Sequence, residues 1–218
     1  MNTKGFIFDL DGVIVDTAKY HYLAWKNLAT SLEIPFSEAQ NEQLKGVSRV
    51  ASLHKILTWG AISLSEEAFN ATMNKKNEEY LSYISKMTTS EILPDVVRVL
   101  DFLKETNQKI ALGSASKNAR IILDKVALKE YFETIVDGTN VTKAKPDPEV
   151  FLNAAEGLQV PPNQCVVFED SVAGIQAANS AGMISIGIGD KTVLHEADHV
   201  FRDFTEMPSE FIKELIKK

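Results

Sequence analysis

Apolar residues along the chain fall into two rhythms. Short runs that are apolar on both faces recur at KGFIF (4–8), KIALG (109–113), TIVD (134–137), CVVF (165–168) and ISIGI (184–188). Such runs read as strands covered on both sides. HVF (199–201) adds a short edge strand. Between them lie helical spacings. DVVRVLDFLKE (95–105) puts Val96, Val99, Leu100 and Leu103 on one stripe, and KNARIILDKV (117–126) follows the second strand. In KPDPEVFLNAAEGL, Asp147 reads as an N-cap and Pro148 as an N1 proline. SVAGIQAANSAG (171–182) ends at a glycine suited to C′, and SEFIKELIKK (209–218) gives a last helix. Strands alternating with helices predict an α/β fold with a parallel sheet and crossover helices.

The interval between the first two strands departs from that plan. About a hundred residues separate them, far more than one crossover needs. DTAKYHYLAWKNLATSL places Tyr20, Leu23, Ala24, Asn27 and Leu28 on adjoining helical rows. SEEAFNATMNKKNEEYLSYISKM (65–87) is a longer helix, with Ser63 and Glu66 as its capping box. The pattern predicts a helical insert over 16–87, set into a core of 1–15 and 88–218, with linkers near Val15–Thr17 and Thr88–Pro94.

Composition narrows the function. The 218 residues are 44% hydrophobic with a net charge of −7. That balance argues against a nucleic-acid binder, which needs a basic stripe, but not against a small phosphorylated ligand, which needs a few local cations. No run of eighteen apolar residues predicts a membrane span, and the N-terminus lacks a secretory pattern. One cysteine, Cys165, rules out an intrachain disulfide and reads as a buried filler; the expected setting is cytoplasmic. His54, His195 and His199 have no ligand spacing.

In an open parallel sheet, ligands bind beyond the carboxyl ends of the strands. Asp9 and Asp11 follow the first strand, Ser114 the second, and Glu169 and Asp170 the CVVF strand, while Lys145 lies in the KAKPDP loop. Singly, each has a plain reading: DLDG as a turn, Ser114 as a helix cap, Lys145 as a solvated cation, Glu169–Asp170 as an acidic pair at a helix start. Together they make a chemical set. A carboxylate nucleophile attacking a phosphoryl group meets like charge, so it needs a hard cation held by oxygens. Asp9, Asp170 and Glu169 could hold that ion, Lys145 and Ser114 could orient phosphoryl oxygens, and Asp11 could exchange a proton with the substrate.

DLDGVIVDT, GSAS, KAKPDP and VVFEDS resemble the four motifs of the haloacid dehalogenase superfamily, and the resemblance covers the whole chain. It implies a Rossmann-like parallel-sheet core with an inserted helical cap, Mg²⁺ dependence and an aspartyl phosphate on Asp9. It also implies acid–base work by Asp11, whose backbone carbonyl would join Asp9, Glu169 and Asp170 at the metal. The superfamily's dehalogenases typically lack an aspartate at position 11, and its ATPases carry large extra domains. Its phosphonate hydrolases need a cap lysine, a role open to Lys45 or Lys76.

The cap carries LKGVSR, where Arg49 could grip a phosphate with paired N–H donors; the plain alternative makes Ser48 an N-cap and Arg49 a solvated residue. On the core side, Ser116, Lys117 and Asn118 follow Ser114 at a helix start, itself an anion site. The cationic and hydroxyl groups thus divide into two sets, as a bisphosphate would require. DTAKYHYLAW, LKGVSRVASL, KKNEEY and GSASKN resemble the superfamily's phosphomutases, which interconvert β-D-glucose 1-phosphate and D-glucose 6-phosphate through β-D-glucose 1,6-bisphosphate. That resemblance implies that His21 couples cap closure to Asp11 and that Thr17 sits at the hinge. Trp25, Leu44, Lys45, Gly46, Val47, Ser48, Arg49, Ser52 and Lys76 would line the cap side of the pocket, and Ser114, Ala115, Ser116, Lys117, Asn118 and Lys145 the core side. Lys76 has a plain alternative as part of a solvated, charge-paired face. Val50–Ala51 departs from the more polar residues of related enzymes. A Mg²⁺-dependent sugar-phosphate phosphatase stays open beside the mutase, and the expected partner is a small sugar phosphate bound by a monomer.

Overall fold

The computed structural model describes residues 3–217. Its described strands form one parallel sheet in the order β3-β2-β1-β4-β5-β6. They are β1 (Gly5–Phe8), β2 (Lys109–Gly113), β3 (Thr134–Val136), β4 (Cys165–Glu169), β5 (Ile184–Ile188) and β6 (His199–Phe201). The apolar runs map onto these elements within a residue, except that Glu169 closes β4 instead of following it. The order reverses between β1 and β4, so their carboxyl ends flank the switch-point crevice where ligands bind in such sheets.

Both faces of the sheet are covered. Phe6 and Phe8 point into a cluster with Val96, Val99, Leu100 and Leu103 of α5 (Val96–Glu105), Ile122 and Leu123 of α6 (Ala119–Lys125), and Ile212 and Leu215 of α9 (Ser209–Lys217). Ile7 and Val167 point the other way, against α7 (Glu149–Leu158) and α8 (Val172–Ser180). The Phe8 and Phe168 rings stack with centroids 4.5 Å apart, adding about 0.5–1.5 kcal/mol beyond the area they bury. That packing anchors the ends of β1 and β4, from which the acidic residues emerge. Cys165 is buried in β4, and burial pushes its thiol up to about 11.

Between β1 and β2 the chain forms α1 (Ala18–Ser31), α2 (Glu38–Glu42), α3 (Arg49–Trp59) and α4 (Glu66–Ile84). Trp25, Leu28, Ile34, Leu44, Leu53 and Ile56 make a separate apolar cluster there, while Ala24, Tyr80 and Ile84 join the cluster of the sheet. Three sequence expectations fail in detail. The stripe on α1 is Ala24, Trp25, Leu28 and Ala29; Leu23 and Asn27 are exposed, and Asn27 bonds Glu79 across to α4. The cap of α4 is Ser65, whose hydroxyl accepts from Ala68 N, and not Ser63. The helix starts at Glu66, so Ser65 and not Ser63 is the residue whose hydroxyl reaches the N3 amide. At α7, Pro148 occupies the N-cap position and Asp147 sits one residue earlier, its Oδ1 accepting from Glu149 N.

Candidate active site

Asp9 is the first residue after β1, and its amide donates to Phe168 O, which ties it to β4 at 2.9 Å. Lys145 reaches in from the loop before α7. Its Nζ lies 2.6 Å from Asp9 Oδ1, 2.6 Å from Glu169 Oε1 and 3.2 Å from Gly113 O, and its side chain is 1% exposed. Burial opposes a charged lysine, but the two carboxylates outweigh it and raise its pKa. Glu169 Oε2 accepts from the amide and the hydroxyl of Ser171, so both its oxygens are engaged. The loop carrying Lys145 is held by Glu149, which accepts from the amides of Thr142 and Lys143.

Carboxylate oxygens of Asp9, Glu169 and Asp170 lie within 4.8 Å of one another. Burial, with Glu169 and Asp11 close by, lifts Asp9 to about 7 despite the pull of Lys145. Burial, then Glu169 and Asp9, lifts Asp170 well above the usual carboxylate range. Three crowded anions answered mainly by Lys145 and Lys45 are short of positive charge, and an all-oxygen donor set suits a hard divalent ion such as Mg²⁺. Two glycines make the room. A side chain at Gly12, whose φ is +83°, would run into the Asp170 carboxylate, and one at Gly174 into that of Glu169.

The Asp11 carboxylate is not one of this cluster. Its Oδ1 accepts from Thr17 Oγ1 and lies 3.8 Å from His21 Nε2. Burial holds His21 well below its ordinary pKa, with Lys76 and Arg49 adding to the effect, so the imidazole is neutral at pH 7. Asp11 itself is raised, by burial against the opposing pull of Thr17 and Lys76. Lys76 is 2% exposed, which excludes the solvated-face reading. Its Nζ lies 3.1 Å from His21 Nδ1 and 4.5 Å and 4.7 Å from the Trp25 and Tyr80 ring centres, and burial lowers it to about 7.

One cavity of about 540 Å³ joins these groups. From the helical segment, His21, Trp25, Leu44, Lys45, Gly46, Val47, Ser48, Arg49, Ser52 and Lys76 line it. From the sheet side come Asp9, Asp11, Ser114, Ala115, Ser116, Lys117, Asn118, Lys145 and Asp170. Thr17 and Glu169 stand behind the wall, in contact with residues that form it. Several predicted residues also hold structure. Ser48 caps α3 by accepting from Ala51 N; Ser114 and Ser116 accept from the amides of Ser116 and Asn118; Lys45 pairs with Glu42 at 2.9 Å and Asp170 at 3.7 Å.

Sequence reasoning missed Asn77, Tyr80, Asn41 and Met73. Asn77 Oδ1 accepts from Asn118 Nδ2 at 3.1 Å, joining α4 to the start of α6. Tyr80 is four residues from Lys76, on the same face of α4 and along the same wall, as helical spacing would have suggested once Lys76 was known to face inward. Asn41 and Met73 also line the cavity, and no spacing pointed to them.

A carboxylate at a strand end, paired with a buried lysine beside a further acidic cluster, is an arrangement suited to phosphoryl transfer on an α/β sheet. The haloacid dehalogenase-like hydrolase family matches residues 3–182, and the chain belongs to that family. It is 45% identical to a β-phosphoglucomutase of Bacillus subtilis, over 97% of this chain and 94% of that one. It is 32% identical to a phosphorylated carbohydrates phosphatase of Thermotoga maritima, over 83% and 82%. A crystal structure of β-phosphoglucomutase from Clostridium difficile superposes with a TM-score of 0.95 at 42% identity, covering 99% of this chain and 98% of that one. No described helix is long and apolar enough to cross a membrane.

Proposed function

We propose that the chain is a β-phosphoglucomutase, interconverting β-D-glucose 1-phosphate and D-glucose 6-phosphate through β-D-glucose 1,6-bisphosphate. The observation that carries this reading is a single cavity lined by more anion-binding groups than one phosphate needs. Ser114 and Lys145 stand with Asp9, while Arg49 from the helical segment and Ser116, Lys117 and Asn118 from the sheet side supply a second set. A phosphatase needs only the first set. The likeness to a mutase over nearly the whole chain points the same way.

In this mechanism the phosphorylated Asp9 passes its phosphoryl group to a hydroxyl of bound β-glucose 1-phosphate, and Asp11 takes that hydroxyl's proton. The bisphosphate turns in the cavity, and Asp9 accepts the other phosphoryl group while Asp11 returns a proton. Lys145 and Ser114 orient the transferring oxygens, and Arg49 with the Ser116–Asn118 segment grips the distal phosphate. Residues 16–87 act as a cap that closes the cavity and excludes water, with Thr17 at the hinge. Asp9, Asp170, Glu169 and the Asp11 carbonyl would hold Mg²⁺, which when bound supplies the positive charge that lets an anionic nucleophile meet an anionic substrate. The substrate is a small sugar phosphate, acted on by a monomer in the cytoplasm.

The test supplies β-glucose 1-phosphate with a trace of the bisphosphate and follows glucose 6-phosphate and inorganic phosphate together. Glucose 6-phosphate should accumulate with little phosphate; fast phosphate release without glucose 6-phosphate would assign the chain to the sugar-phosphate phosphatases. Chelating divalent ions should stop turnover, with recovery on adding Mg²⁺. Arg49→Ala should cut isomerisation by roughly ten- to a hundredfold, the range for losing charged hydrogen bonds to a phosphate. Hydrolysis of acetyl phosphate, which has no distal phosphate, should change little. Equal losses in both assays would remove the distal site.

A further inference from the structure

Tyr80 is a large polar residue on α4 with 1% of its surface exposed. Its hydroxyl is the one fully buried side-chain oxygen or nitrogen among the described residues that lacks a hydrogen-bond partner. Buried hydroxyls are rarely left unpaired, because folding strips their water without replacement. The ring cannot swing out to find a partner. His21 stacks on it with ring centres 4.1 Å apart, and Lys76 Nζ sits 4.7 Å from its centre. The residue lines the cavity with Asp11 and Arg49, and the His21 ring stacked on it reaches to 3.8 Å from the same Asp11 Oδ1 that Thr17 Oγ1 holds.

Thr17 is unusual in a matching way. It holds the N-cap position of α1, where a threonine hydroxyl normally accepts from the helix's own amides, yet it makes no such bond. Its Oγ1 donates to Asp11 Oδ1 instead. A hydroxyl has one hydrogen to give and two lone pairs to receive with. With its hydrogen spent on Asp11, Thr17 can only accept from the phenol. The polarity of the three groups is therefore fixed: a phenol that reaches Thr17 Oγ1 can only donate to it.

We propose that Tyr80 is a positioning residue for Asp11: its phenol O–H donates to Thr17 Oγ1 and completes a hydroxyl chain that runs from α4 to the carboxylate. The inference rests on the reading of Asp11 as the proton-transferring group. Burial keeps the phenol protonated far above its ordinary range, so it stays a donor wherever the enzyme works. The chain links the position of α4 to the orientation of Asp11. When α4 moves away the hydroxyl chain opens, and Asp11 is held by Thr17 alone.

The test combines Tyr80→Phe, Thr17→Val, the double variant and Asp11→Asn, assayed for conversion of β-glucose 1-phosphate with the bisphosphate present. Tyr80→Phe should melt no lower than the parent, since it deletes an unpaired hydroxyl, while kcat drops by about tenfold at nearly constant KM. Thr17→Val should lose at least as much, and the double variant no more than Thr17→Val, because both break one chain. Thr17→Ser, which keeps the hydroxyl, should restore sensitivity to Tyr80→Phe. Three outcomes would overturn the proposal: an unchanged kcat in Tyr80→Phe, losses that multiply in the double variant, or a raised KM at constant kcat, which would put the phenol on the substrate. A near-normal Asp11→Asn would instead bring down the parent reading. An inactive Asp11→Asn beside an unaffected Tyr80→Phe would sink this inference alone.

Discussion

Asp9→Asn should abolish turnover and leave the fold standing. The two side chains are nearly the same size, so the packing that anchors Asp9 behind Phe8 and Phe168 is kept. The carboxamide oxygen can still accept from Lys145, where Oδ1 now sits 2.6 Å from Nζ. What is lost is the second oxygen's capacity to form an acyl phosphate, because an amide is a far weaker nucleophile than a carboxylate. Removing a covalent nucleophile from an organised site costs on the order of 10⁴–10⁶ in rate, and the expected loss here is of that size. Incubation with acetyl phosphate followed by intact-mass spectrometry should show a phosphoryl increment on the parent and none on the variant. Replacing the aspartate also removes one of three crowded anions, one lifted to about 7 by that crowding and by burial, so the variant should melt no lower than the parent. Retained mutase activity in Asp9→Asn would sink the assignment of Asp9, whatever the rest of the cavity does.

The sheet was legible because β1, β2, β4 and β5 are covered on both faces and so read as unbroken apolar runs. Asp9, Ser114 and Glu169 could then be placed at one edge by topology alone, since parallel strands all end on the same side. Helix ends were read less well. Ser63 and Ser65 both precede a glutamate-rich turn, and only the three-dimensional path of the chain decides which one caps it. Leu23 on α1 was misplaced for a related reason, because an amphipathic stripe shifted by one residue still looks apolar. Lys76 was the hardest to read. KKNEEY has the composition of a solvated face, and nothing local reveals that Trp25, His21 and Tyr80 close over the ammonium. Tyr80 and Asn77 were hidden likewise, since the residues they touch, His21 and Asn118, lie many positions away in sequence.

Lys145→Ala should be costly to both stability and rate, and the two losses should be separable by pH. The lysine is the cation directly between Asp9 and Glu169, 2.6 Å from each, with its Nζ 4.8 Å from the Phe151 ring centre. Deleting one partner of a buried ion pair costs about 3–5 kcal/mol, because the remaining charges stay buried and unanswered. Here two carboxylates are left facing each other, with Asp170 beside them. The protein's escape is to protonate Asp9, whose pKa is already lifted to about 7 with the lysine present and must rise further without it. A carboxyl group whose folded-state pKa exceeds its unfolded one binds more protons when folded, so stability falls as pH rises between those two values. The destabilisation of Lys145→Ala, measured by urea unfolding with a chelator present, should therefore be largest at pH 8 and shrink towards pH 5. Mutase activity should not recover with it: the transferring phosphoryl group loses a fixed positive partner, worth about 10²–10³ in rate, and a protonated Asp9 is no nucleophile. A variant as stable as the parent at pH 8 would mean that Lys145 does not neutralise this pair. Lys145→Met separates charge from packing, since it keeps most of the side-chain volume over Phe151; a loss in Met close to that in Ala assigns the effect to charge.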